Sequence, residues 1–148
     1  MIRFFFFRLF SGIKQKWEKH ATDKNIIIYL DLPADTLVKG DKFFLELMID
    51  NLVNNAIKYG KQNGHVLVNW NINMQTLSIE DNGIGISQKH LPFIFNRFYQ
   101  VDESRSSVVK GSGLGLSIVQ KLAVLQNISL NVTSKDGSGT TFSLYFPS

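Results

Sequence analysis

Two glycine-rich boxes about thirty residues apart constrain this chain more than any other feature. The first is Asp81-Asn82-Gly83-Ile84-Gly85-Ile86, and the second is Gly111-Ser112-Gly113-Leu114-Gly115-Leu116. The first opens with a carboxylate at the end of a strand-like run. The second runs directly into an apolar, helix-like run. A strand end and a helix start, each stripped of side chains, mark places where backbone can approach a ligand. The pair is expected to form the two ends of one nucleotide pocket, with the segment between them as a flap.

The hydrophobic pattern says what carries those boxes. Asp41 stands at an N-cap position before Phe44, Leu45, Met48, Ile49, Leu52, Val53, Ala56 and Ile57, which recur at helical spacing. A helix is expected over 41–59, ended by Gly60. Residues 25–32, 65–72 and 75–80 read as strands, the last two as a hairpin with an Asn-rich turn. Residues 91–98 predict one short helix, 101–110 a mobile serine-rich loop and 114–125 an apolar helix. Strands at 128–134 and 140–146 close the chain around Gly137-Ser138-Gly139. Strict strand–helix alternation, the mark of a doubly wound fold, is absent. The expected architecture is α/β (α+β): a two-layer sandwich with a mixed, mostly antiparallel sheet of about five strands and about three helices on one face.

The 148 residues suit one domain with an ordinary core, here placed at 25–148. Residues 1–24 are expected to be a connecting segment, the end of a linker or of a preceding helix. The aromatic start, Met1 to Phe10, is interrupted by Arg8, which argues against a targeting peptide. No apolar run reaches the ~20 residues that cross a bilayer. Cysteine is absent, which excludes disulfides and thiolate metal sites. The net charge of +4 favours an anionic ligand or partner without choosing one.

Three groups of residues carry chemistry. Asn51, Asn55 and Lys58 are spaced i, i+4, i+7 and fall within about 60° of one helix face. Such a stripe is costly to bury as core. Amide oxygens suit a hard cation such as Mg²⁺ and the ammonium suits phosphate, although an exposed polar face would look the same. Asp81 can accept a hydrogen bond from an exocyclic amine such as adenine N6, although Asp-Asn-Gly also makes a plain turn. The second box offers free N–H groups and the positive end of a helix to a phosphate. It lacks the Lys-Ser or Lys-Thr of a P-loop. Its third glycine comes one residue early for a dinucleotide fingerprint, and no strand precedes it.

Together these segments resemble the ATP-binding catalytic domain of sensor histidine kinases, within the wider group of gyrase, heat-shock chaperone and mismatch-repair ATPases (the Bergerat fold). Residues 51–59, Asn-Leu-Val-Asn-Asn-Ala-Ile-Lys-Tyr, resemble that family's N box. The stretch from Asp81 to Gly85 resembles its first glycine box, and Phe95-Asn96-Arg97-Phe98 its F box. Asp102-Glu103-Ser104-Arg105 resembles the acidic-serine stretch that follows. Residues 111–116 resemble the second glycine box, and Gly137-Ser138-Gly139-Thr140-Thr141-Phe142 the final glycine–threonine strand. The motifs cover about 25–147 in the family's order.

The resemblance implies a role at each matching position. Asn55 ligates Mg²⁺, Asn51 supports the phosphate–metal site, and Lys58 and Tyr59 contact phosphates. Asp81 reads adenine N6 with help from Thr140, while Gly83, Gly85 and Ile86 shape the adenine pocket. Gly111, Gly113, Leu114, Gly115 and Leu116 hinge a mobile ATP lid and cradle phosphates. Phe95 and Phe98 anchor the lid and face a partner domain, and Arg97 reaches the γ-phosphate on closure. Hydrolysing relatives carry a glutamate where this chain has Asn51, and an amide cannot serve as general base. The implied activity is transfer of the γ-phosphoryl group of Mg-ATP to a histidine. His20, His65 and His90 all lack the family's phosphoacceptor pattern, so the acceptor domain and, indirectly, a response regulator are implied partners. The resemblance implies a cytoplasmic domain of a kinase anchored in the inner membrane, with no nucleic-acid partner and no membrane contact of its own. The alternatives are a serine kinase of the anti-sigma type and a non-catalytic ATP-binding regulatory module on the same fold.

Overall fold

The computed structural model describes residues 2–101 and 113–147. The Asp102-Glu103-Ser104-Arg105 stretch, nearly all of the expected loop at 101–110, and Gly111 lie outside the described residues.

The expected sandwich is present. Strands β2 (Ile27–Asp31), β4 (His65–Asn71), β5 (Thr76–Asp81), β6 (Ser129–Lys135) and β7 (Gly139–Tyr145) form one sheet in the order β2-β4-β5-β7-β6. β2 runs parallel to β4, and the other neighbours are antiparallel. Alternation puts Ile28, Val66, Val68, Trp70, Leu77, Ile79, Phe142 and Leu144 on the buried face. Helices α1 (Phe6–Asp23), α2 (Lys42–Lys58) and α3 (Gly115–Leu125) complete the layer packed against the sheet.

α2 is the central element. Asp41 caps it by accepting the Phe44 N–H at 3.0 Å, as its position in the sequence predicts. Leu45, Met48, Ile49, Leu52, Val53, Ala56 and Ile57 are all buried. Lys24 holds the other end, donating to the carbonyls of Ile57 (3.0 Å), Lys58 (2.6 Å) and Gly60 (3.3 Å). A cation there meets the orphan carbonyls and the negative end of the helix dipole.

Two elements differ from the sequence reading, and a third falls on one of its two alternatives. Residues 1–24, expected to be the end of a linker or of a preceding helix, are helical from Phe6 to Asp23, and Phe6, Leu9, Phe10, Ile13 and Ala21 sit in the same core as α2. A two-stranded antiparallel sheet, β1 (Ile2–Phe5) with β3 (Leu37–Gly40), stands apart from the five-stranded one. The helix expected at 91–98 shrinks to one 3₁₀ turn, Leu91–Phe93, with Pro92 at its start. Beyond it Asn96 N–H bonds Phe93 O, Tyr99 N–H bonds Asn96 O, and Phe98 adopts a φ of +64° that ends any helix.

Candidate functional site

A cavity of about 970 Å³ opens between α2, the end of β5, the start of α3 and the segment that follows the first glycine box. Its floor is the polar stripe of α2. Asn51, Asn55, Lys58 and Tyr59 all line it, as helical spacing requires, and Asn54 joins them. From Asn51 to Tyr59 the helix advances about 12 Å, so the cavity has two ends.

At one end Asn51 meets the second glycine box. A Cβ on Gly115 would come within 2.9 Å of Asn51 Oδ1, while the Asn51 amide donates to the Leu47 carbonyl at 2.8 Å. Gly113, Gly115 and Leu116 line this end. The Gly113 carbonyl accepts the Phe98 N–H at 2.8 Å, which joins the F box to the glycine box. Leu114 does not line the cavity; it caps α3, and its carbonyl accepts from Ile118 N–H and Ser117 Oγ.

At the other end stand Asp81 and Thr140, cross-strand partners on β5 and β7 and both buried. Asp81 Oδ1 accepts the Gly83 N–H at 2.9 Å. Burial pushes the Asp81 carboxyl above its usual range, and the backbone N–H groups of Gly83 and Thr140 oppose that shift. Gly83 itself is buried beneath this end: a Cβ there would overlap the Tyr59 carbonyl oxygen. Gly85 has a φ of +71°, and a Cβ there would overlap the Lys135 carbonyl. The loop between them is fixed on both sides, since Ile84 N–H donates to Tyr59 O at 3.1 Å and Gly137 N–H donates to Ile84 O. Gly85 and Ile86 reach the cavity wall.

Burial also lowers the Lys58 ammonium below the usual lysine range and raises the Tyr59 phenol. Among the described residues no carboxylate pairs with Lys58; a half-buried ammonium in that state is destabilised, and a phosphate would relieve that. Among the described residues nothing hydrogen-bonds the Asn55 side-chain amide. Asn55 lines the cavity, and an amide oxygen there suits a hard cation. Asp50, the carboxylate next to Asn51, does not line the cavity. It accepts the Trp17 indole N–H and pairs with Lys16 at 2.9 Å.

Arg97 is exposed and lies outside the cavity lining, as do Phe95 and Phe98. Phe95 packs edge-on against Phe142 at 6.3 Å, and Phe98 is exposed. Lining residues that the sequence did not single out include Ser87, Lys89, Asp136 and the pair His90–Tyr99, whose Nδ1 and Oη lie 2.6 Å apart. The nine-residue separation of His90 and Tyr99 matches neither the helix nor the strand period, so no local pattern could have paired them.

Comparison with known proteins agrees with this geometry. Residues 40–148 match the model of the histidine kinase-, DNA gyrase B- and HSP90-like ATPases. The chain is 36% identical over 140 residues to the phosphate regulon sensor protein PhoR of Pseudomonas aeruginosa, covering 93% of this chain and 32% of that protein. It thus spans about a third of the length of that curated relative. The solved mycobacterial sensor histidine kinase MprB superposes with a TM-score of 0.82 at 26% identity, over 99% of this chain and 97% of that one. Full-length ShkA, solved in complex with AMPPNP, gives a TM-score of 0.75 at 26% identity, over 94% of this chain and 29% of that one. With its boxes brought around one cavity and its family model matched over 40–148, the chain belongs to the histidine kinase-, DNA gyrase B- and HSP90-like ATPase family.

Proposed function

We propose that this domain binds Mg-ATP and donates the γ-phosphoryl group to a histidine on a phosphoacceptor domain, as part of a two-component sensor kinase. The observation that carries the reading is a single cavity with a buried carboxylate at one end and two amides and a desolvated ammonium along its floor. The Asp81 carboxylate, accepting the amine of adenine, fixes the base. The phosphates would then lie along α2, where Lys58 would neutralise charge and the N-terminus of α3 would supply N–H groups at Gly113 and Gly115.

Asn55 would hold Mg²⁺ through its side-chain oxygen, and the ion would neutralise phosphate oxygens. Among the described residues no three His, Cys, Asp or Glu side chains cluster as a metal cage, so the ion's other ligands would be water and phosphate. The described carboxylates that line the cavity are Asp81 and Asp136. Asp81 belongs to the base end, and Asp136 sits by Gly85 at the same end. Position 51, beside the second glycine box, holds an amide that cannot take a proton from water. Among the described residues, therefore, no carboxylate at the phosphate end is placed to activate water. The domain acts by positioning and charge neutralisation, and the nucleophile comes from the partner.

The parent protein is proposed to carry the acceptor histidine, to pass the phosphoryl group to a response regulator and to be anchored in the inner membrane, with this domain in the cytoplasm. Among the described residues no helix is long and apolar enough to cross a membrane. Calorimetry with Mg-ATP and Mg-GTP, combined with phosphate-release assays, tests the reading. One ATP bound per chain in preference to GTP, with little phosphate released, is expected. Equal affinity for the two nucleotides, or rapid hydrolysis by the chain alone, would overturn it.

A further inference from the structure

Ser134, on β6, sits behind the base end of the cavity and makes more contacts than one hydroxyl ordinarily carries. Its Oγ accepts the Ile86 N–H at 2.7 Å, reaches the Gly139 carbonyl oxygen at 2.9 Å and lies 2.8 Å from Thr140 Oγ1. A serine hydroxyl has one proton and two lone pairs. The Ile86 N–H occupies one lone pair. The Gly139 carbonyl can only accept, so it takes the serine proton. The Thr140 hydroxyl must then donate into the remaining lone pair. This is the one assignment in which all three contacts are hydrogen bonds. It commits the Thr140 proton away from the cavity and leaves Thr140 Oγ1 as an acceptor at the cavity wall.

We propose that Ser134 is a positioning residue for base recognition: it holds Thr140 as a pure acceptor beside Asp81, so that two acceptors face an exocyclic amine. The proposal rests on the adenine reading of Asp81. Thr140 and Asp81 are cross-strand partners, which puts both oxygens at one edge of the cavity. An acceptor pair favours a purine with an amine at position 6 and disfavours one with a carbonyl there. The Ile86 bond also ties the last residue of the first glycine box to β6, so the same hydroxyl sets the edge of the flap. Gln88 reinforces that tie by donating to the Ser134 carbonyl at 3.1 Å.

The test measures equilibrium binding of Mg-ATP and of the Mg complex of purine riboside triphosphate, which lacks the amine. Wild type, Ser134→Ala, Ser134→Thr and Asp81→Asn are compared, with circular dichroism showing that each is folded. Ser134→Ala is expected to weaken ATP about fivefold, the scale of one net hydrogen bond, while leaving the amine-free analogue within about twofold. Ser134→Thr keeps the hydroxyl and should restore ATP binding. Equal weakening of both ligands, or no weakening of ATP, overturns the proposal. If Asp81→Asn leaves ATP affinity unchanged, the adenine reading fails and the proposal falls with it. If Asp81→Asn weakens ATP and Ser134→Ala does not, the proposal alone fails.

Discussion

Asp50, which does not line the cavity, is bound to Trp17 about 100° around α2 from Asn51, its carboxylate accepting the indole N–H. With Lys16 on its second oxygen, this acid serves the α1–α2 contact. Asn51, one residue on, turns to the cavity. Replacing Asp50 by Asn should therefore cost about 1 kcal/mol of stability. It should leave Mg-ATP affinity within about twofold, as thermal unfolding and calorimetry would show. A large loss of affinity without unfolding would place Asp50 in the site.

Asp81 couples ligand binding to pH. Burial raises its carboxyl, so in the pH window between the unfolded and the raised folded value the folded chain holds a proton that the unfolded chain has released. Its contribution to stability is full below the usual carboxylate range and is lost as pH rises through the raised folded value. Asp81→Asn should flatten that fall in unliganded stability, measured by denaturant unfolding from pH 4 to 8. The same variant should bind ATP at least about tenfold more weakly, since a charged acceptor is gone. Stability that falls with pH in the variant as it does in wild type would contradict the assignment.

The floor of the cavity separates phosphate from base. Lys58→Met removes the cation and keeps the stem, so ATP should weaken about tenfold while adenosine is unchanged. Asn55→Ala should abolish the gain in ATP affinity that Mg²⁺ gives wild type, tested by titration with and without a chelator. Persistence of that gain would remove Asn55 from the metal site.

α1 shares its core with α2 and the sheet. Phe6 is fully buried, with ring centroids 5.3 Å from Phe10, 5.8 Å from Trp70 and 5.6 Å from Phe146. Phe6→Ala should cost about 3–5 kcal/mol, the range for a large aromatic cavity in a core. Unfolding that shifts by less than about 1 kcal/mol would mean that the helix docks loosely.

What could be read from the sequence had a local period. The α2 stripe of Asn51, Asn55 and Lys58 follows from 3.6 residues per turn, and the β4–β5 hairpin from alternation at Val66, Val68, Leu77 and Ile79. α1 is only one of two readings of residues 1–24 because its apolar stripe thins after Ile13: the stretch to Lys24 buries only Ala21 fully and reads as polar. β1 and β3 escaped because four-residue strands paired across more than thirty residues leave no periodic signal. The site was legible to the same extent. Asp81, Thr140 and the glycines sit in recognisable boxes. The bond from Ile86 to Ser134 spans 48 residues, so no local pattern announces it.

Phosphotransfer tests the central claim most directly. The chain would be joined to a phosphoacceptor-histidine domain of a sensor histidine kinase and incubated with Mg-ATP labelled at the γ position. The account predicts label on a histidine of the acceptor, labile in acid and stable in base, and little free phosphate from the unjoined chain. ATP that binds but yields only free phosphate, or an acid-stable label on serine, would contradict it.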